Sequence, residues 1–149
     1  ESVLEHTISE NCRIKAEIVE KDEKEKGERA ILNFGHTIGH AIESVSGFRL
    51  LHGECVSIGI NAACKLAFES GLIKASEVDE IISVLNKAGL PLYTTGLNIE
   101  EVFKKMLHDK KAISGDLKFI LPKKIGEVIQ ITGISEEKIK NALREVIHF

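Results

Sequence analysis

Two consecutive stretches, residues 30–47 and 51–70, combine helical apolar spacing with many small residues, and this constrains the fold more than any other feature of the sequence. In the first, Ile38, Ala41, Ile42 and Val45 make an apolar stripe that Gly47 can stop. In the second, Val56, Ile60, Ala63, Leu66 and Ala67 do the same ahead of Gly71. Gly35, Gly39 and Ala41 on one side, with Gly59, Ala62 and Ala63 on the other, remove the side-chain bulk that normally holds helix axes apart. Two such helices can meet backbone to backbone, or crowd their backbones against a ligand.

The rest of the chain is mostly helical as well. Val3, Leu4, Ile8, Cys12, Ile14, Ile18 and Val19 predict one long helix over 3–20. It runs into 20–29, where nine of ten residues are charged and Gly27 can end the helix, as a solvated helix end would. Ser76 is the expected N-cap of a helix through Val78, Ile81, Ile82 and Leu85, ending at Gly89 before Pro91. Asn98 caps another through Val102, Phe103, Met106 and Leu107. LKFIL at 117–121 and EVIQIT at 127–132 predict a hairpin joined by Pro122, two lysines and Gly126. Ser135 caps a last helix, with Glu136 and Glu137 in its first turn, through Ile139, Leu143, Val146 and Ile147. The expectation is a mainly α fold: one multihelical domain over 1–149, with six helices and one small β-hairpin. No βαβ alternation, internal repeat or GxGxxG is present, so a self-contained dinucleotide fold is not expected.

Composition narrows the function classes. With 149 residues, 43% hydrophobic and 29% charged, the chain can bury one domain's core. No apolar run reaches the roughly 18–20 residues of a spanning helix, and no basic-then-apolar leader opens the chain, so no membrane association is expected. Lys and Arg number 20 against 23 Asp and Glu, a net charge of -3. That balance argues against a whole-surface grip on nucleic acid and leaves small polyanions, held by a local basic cluster. Three dispersed cysteines, Cys12, Cys55 and Cys64, suit neither a disulfide framework nor a CxxC knuckle and point to a reducing cytoplasm. The chain opens at Glu1 directly in an amphipathic pattern, and the expectation is a piece of something longer.

Three of the six histidines fall between 36 and 52. In GHTIGH, His36 and His40 are four apart and share one helix face; His52 opens the next helix in LLHGE. Helical i, i+4 imidazoles can share one metal ion, and a catalytic zinc takes three protein ligands and leaves a place for substrate. The zincin pattern needs Glu directly after the first His, and Thr37 stands there, so metalloprotease chemistry lacks its base. The competing reading makes the histidines satisfied interior residues between Gly-rich helices. Lys15, Arg29, Asn33 and the DKK at 109–111 supply donors for phosphate or carboxylate, and Glu25 offers an acid or base.

The string RAILNFGHTIGHAIES, followed by LLHGECVSIGI, closely resembles the signature of the 3-dehydroquinate synthase family, and DEKEKG and DKKAISGDLKFILPKKIG fit the same family. The resemblance covers the whole chain in order, but only the family's C-terminal, mostly helical domain; the motif over 29–52 is its specific part. It implies conversion of 3-deoxy-D-arabino-heptulosonate 7-phosphate to 3-dehydroquinate and phosphate in the shikimate pathway. Tightly held NAD and a divalent metal, zinc or cobalt, serve that reaction. NAD would oxidise the C5 hydroxyl, loss of the C6 proton and of phosphate would follow, and reduction at C5, ring opening and aldol closure would complete the turnover. By motif, His36 and His52 correspond to metal ligands, and His40 and Glu25 to proton-transfer residues. Lys15, Arg29 and Asn33 correspond to substrate contacts, as does one lysine of Lys110 and Lys111, with Lys111 preferred. The NAD-binding N-terminal domain, a Glu that completes the metal shell and a contact from a homodimer partner are implied to lie outside this chain, which is then inactive alone. Two rivals remain: another sugar-phosphate cyclase of the inosose or valiolone synthase type, and a non-catalytic helical domain with a structural metal, for which Cys55, three residues after His52, is the relevant residue.

Overall fold

The computed structural model describes residues 2–23, 27–112 and 117–149, without the side chains of 109–112. The chain divides into two compact units, residues 1–33 and 34–149.

In the first unit, helix α1 (Val3–Lys21) begins at a reciprocal cap: Glu5 N–H donates to Ser2 Oγ at 3.2 Å, and Ser2 N–H donates to the Glu5 carboxylate at 2.7 Å. The bond from the Ser2 backbone N–H foremost, and then the Ser2 hydroxyl, hold the Glu5 carboxyl below its ordinary range. The helix stops at Asp22, not at the expected Gly27. The Asp22 carboxylate accepts from Gly27 N–H at 2.8 Å and from Arg29 N–H at 3.1 Å. A side chain that offers the backbone such local bonds competes with helix continuation, and the charged run turns into a 3-10 helix over Glu28–Asn33.

The second unit opens where the sequence predicts a continuous segment over 30–47. That segment is broken: 30–33 belong to the 3-10 helix, Gly35 takes the left-handed conformation (φ 79°), and α2 spans His36–Val45. Helix α3 (His52–Glu69) packs along α2, α4 spans Ala75–Lys87, α5 spans Ile99–Ala112 and α6 spans Glu136–Val146. Helix α4 starts after Lys74 rather than at Ser76, and Glu77 in its first turn accepts from Lys74 N–H at 3.4 Å. Asn98 and Ser135 act as predicted: Asn98 Oδ1 accepts from Glu100 N–H at 2.8 Å, and Ser135 Oγ from Lys138 N–H at 3.4 Å.

The hairpin forms from β2 (Phe119–Lys124) and β3 (Glu127–Ile131), with Phe119 opposite Ile131 and Leu121 opposite Ile129. Pro122 lies inside β2 rather than in the turn, at an irregularity between Pro122 and Lys124 that accommodates its missing N–H; Gly126 (φ 82°) makes the turn. Two short strands were not expected. Thr94–Thr95 (β1) pairs in parallel with Ile147–His148 (β4), so Ile147 leaves the last helix to join a ladder. Asn61 on α3 donates to Leu92 O at 3.0 Å and pins the segment that enters β1. Around α3 the core gathers Ile38 and Ile42 from α2, Val102 and Met106 from α5, Phe119 and Leu121 from β2, and Leu143 and Val146 from α6. Among the described residues no helix is long and apolar enough to cross a membrane.

Candidate metal centre

The α2–α3 contact is a glycine seam. A Cβ on Gly39 would lie 2.9 Å from Cys55 O, and one on Gly35 2.8 Å from Ile60 N. A Cβ on Gly59 would overlap the Gly35 carbonyl oxygen and come within 2.8 Å of Gly39 N. Gly35 faces 59–60 while Gly39 faces 55–56, an antiparallel register. The close approach read from the sequence is thus present, and it brings the start of α3 beside the middle of α2.

Three imidazoles meet there. His36 and His40 project from successive turns of α2, and His52 is the first residue of α3. Their ring centroids are 5.2 Å apart for His36–His40 and 5.5 Å for both His36–His52 and His40–His52. One nitrogen from each lies within 4.8 Å of the others; His36 is half-buried, and His40 and His52 are exposed. A tetrahedral zinc with Zn–N bonds of about 2.0–2.1 Å needs nitrogens about 3.4 Å apart, within reach of small side-chain rotations. Three imidazoles on two fixed helices, open on one side, are a donor set that fits a divalent zinc-like ion.

Two of the rings have their tautomer set by their surroundings. His36 Nδ1 lies 3.1 Å from Phe34 O, and His52 Nδ1 lies 3.2 Å from the Glu43 carboxylate. A carbonyl and a carboxylate accept, so Nδ1 is the donor in each bond and Nε2 is the nitrogen left for a metal. Thr37, where a zincin would have Glu, donates its hydroxyl to Lys118 O at 2.9 Å and ties the first turn of α2 to the approach of β2. Cys55 lies wholly in the core, and burial first, then the Glu43 and Glu54 charges, push its thiol up to about 11. Its sulfur is not in the ligand group, so the described residues form no closed histidine–cysteine site.

The remaining expected site residues are distributed over the chain. Lys15 is exposed on α1, within the first unit. Arg29 is half-buried in the 3-10 helix, its Nη1 donating to Glu23 O at 2.8 Å, and Asn33 ends that helix. The histidines belong to the second unit. Glu25 lies outside the described residues, and Lys110 and Lys111 sit in the last turn of α5 with side chains outside them. The sequence reading missed Glu43; its signal was the i+3 position from His40 on the same helix face, in HAIE.

The 3-dehydroquinate synthase of Ruminiclostridium cellulolyticum is 49% identical over 146 residues, covering 98% of this chain and 41% of the relative. That of Acetivibrio thermocellus is 50% identical over 144 residues, covering 96% and 40%. The chain therefore spans about two fifths of the length of the curated relatives it matches. Among solved structures, a 2-deoxy-scyllo-inosose synthase complexed with carbaglucose-6-phosphate, NAD+ and Co2+ is 30% identical, with a TM-score of 0.71 over 82% of this chain and 36% of its own. A 2-epi-5-epi-valiolone synthase from Streptomyces hygroscopicus subsp. jinggangensis, with NAD+ and Zn2+ bound, shares the fold at 24% identity and a TM-score of 0.76 over 85% of this chain and 35% of its own. Residues 1–112 match the model of the 3-dehydroquinate synthase C-terminal domain, and the chain belongs to that family.

Proposed function

We propose that this chain is the metal- and substrate-binding part of a 3-dehydroquinate synthase of the shikimate pathway, a phosphate-eliminating lyase of the cytoplasm. It works with an N-terminal NAD-binding domain, in a homodimer, and is inactive alone. The carrying observation is the meeting of His36 and His52, with His40 beside them, on the glycine seam of a chain from this family. NAD and zinc or cobalt follow from the solved relatives, which hold NAD+ with Zn2+ or Co2+.

With both groups bound, the chemistry supplied is polarisation of a hydroxyl pair and reversible uptake of a hydride. His36 and His52 would hold the metal, the Nδ1 of each being already engaged. His40, one turn along the same face, stays off the metal and moves a proton at the substrate, as does Glu25. Lys15, Arg29, Asn33 and Lys111 supply donors for the phosphate and carboxylate of the heptulosonate phosphate, contacts strengthened by the charge of those groups. Inosose and valiolone synthases share the fold, but the named relatives at 49–50% identity favour dehydroquinate synthesis over those chemistries.

The test uses the full-length protein, with metal content and turnover measured side by side on 3-deoxy-D-arabino-heptulosonate 7-phosphate and on other sugar phosphates. His36→Ala and His52→Ala are expected to empty the site. His40→Ala keeps the metal and loses about 10²- to 10⁴-fold in rate, the range for a general acid or base. Equal loss of metal in all three variants would make His40 a ligand, and turnover of hexose phosphates alone would assign a different cyclase.

A further inference from the structure

His52 stands exposed at the start of α3. Its side chain is 54% exposed, Leu51 before it is 73% exposed, and Gly53 after it has open space where a Cβ would stand. The connection leading to it passes through Gly47 (φ 68°) and Phe48 (φ 58°), and Phe48 is itself 73% exposed. Packing therefore does little to fix the angle of this ring. Beside the two neighbouring imidazoles, a hydrogen-bond partner reaches it: Glu43, from α2, whose carboxylate meets Nδ1 at 3.2 Å.

Glu43 is well anchored. Its side chain is only 20% exposed, and its carbonyl accepts from Ser46 Oγ at 2.8 Å and from Phe48 N–H at 3.0 Å. It lies one turn past His40 and outside the group of nitrogens that can converge on an ion, on the far side of the His52 ring from Nε2. His36 has the matching support from a backbone carbonyl, which no substitution can delete. For His52 the support is a side chain, and so can be removed.

We infer that Glu43 is a positioning residue of the metal site, its carboxylate fixing the tautomer and angle of His52. The inference rests on the proposed role of His52 as a ligand. Outer partners of this kind orient the ring and raise its basicity toward the metal, and their loss typically weakens binding about 10- to 100-fold.

The test compares Glu43→Met, which keeps length and volume without an acceptor, and Glu43→Gln, which keeps an acceptor oxygen without the charge. Each is made in the full-length protein beside His52→Ala. Zinc affinity is read by chelator competition, and the His52 tautomer by ring-nitrogen NMR of the metal-free protein. Glu43→Met is expected to weaken zinc about 10- to 100-fold and to release the Nδ1–H preference of His52. Glu43→Gln recovers most of both, and the His36 signals do not move. Zinc affinity within about twofold of the parent in Glu43→Met, with His52 still protonated at Nδ1, would overturn the inference while leaving His52 a ligand. Unchanged affinity in His52→Ala would instead overturn the ligand reading beneath it.

Discussion

Gly59→Ala tests the seam directly. In an exposed helix the change would stabilise by about 1 kcal/mol, because alanine loses less backbone entropy and is the better helix former. Here the new methyl would overlap the Gly35 carbonyl oxygen and sit 2.8 Å from Gly39 N, well inside the ordinary 3.4–4 Å contact range. Both atoms are backbone, so neither can swing aside, and α2 must move away from α3 by several tenths of an ångström or more. Gaps of 0.5–1 Å forfeit roughly a quarter to a half of each dispersion contact along the interface, and overpacking of this kind costs about 1–3 kcal/mol. The sign of the helix-propensity gain is thereby reversed, for a net loss of about 0–2 kcal/mol. The same displacement carries His52 away from His36 and His40, so zinc affinity falls at least about tenfold. The control is Gly53→Ala on the same helix, where the methyl enters open space and stability is unchanged or slightly raised. Thermal unfolding and chelator competition on the three full-length proteins read both effects. If Gly59→Ala is more stable than the parent by the full propensity gain and binds zinc equally well, the backbone seam does not set the site.

Two further outcomes follow from the buried thiols and the caps. Burial pushes Cys64 up to about 12 and Cys55 to about 11, so at pH 8 about one Cys55 in a thousand, and fewer Cys64, is thiolate. Alkylation of either, followed by mass spectrometry, should proceed no faster than unfolding and accelerate with rising pH; rapid labelling of Cys64 at pH 8 in folded protein would contradict its burial. Asn98→Ala removes the acceptor for Glu100 and Glu101 N–H and should cost about 0.5–2 kcal/mol in denaturant unfolding, with zinc affinity unchanged.

Helices were legible where one periodicity dominates. The spacing in 3–20 and 51–70 set the start of α1 and both ends of α3 to within a residue or two, and Asn98 and Ser135 announced α5 and α6. Boundaries failed where a side chain outside the pattern intervened: the Asp22 carboxylate stopped α1 early. Helix α4 also starts ahead of Ser76. The break at Gly35 was hidden because the glycine that suits a tight seam also suits a left-handed turn. At the site, the i, i+4 pair announced His36 and His40 as neighbours and the family motif named His52, while the register of α2 on α3 is what brings the three rings together. Which nitrogen of each ring is engaged depends on partners that spacing cannot specify, a backbone carbonyl for one and a carboxylate for the other. The pairing of β1 with β4 left no trace, since two-residue strands have no period to detect.

That small parallel ladder bears on the order in which the chain assembles. Thr94 pairs with Ile147 across roughly fifty residues that include α5, the hairpin and α6, and closing so long a loop returns only a few hydrogen bonds. Contacts of that kind form late, once local helices and the hairpin have shortened the effective path between the two ends. The stacking of Tyr93 on His148, with ring centroids 4.9 Å apart, sits on the same late contact. A spectroscopic reporter at Tyr93 would therefore mark the final step of folding, while Asn61, already placed on α3, offers Leu92 its first foothold.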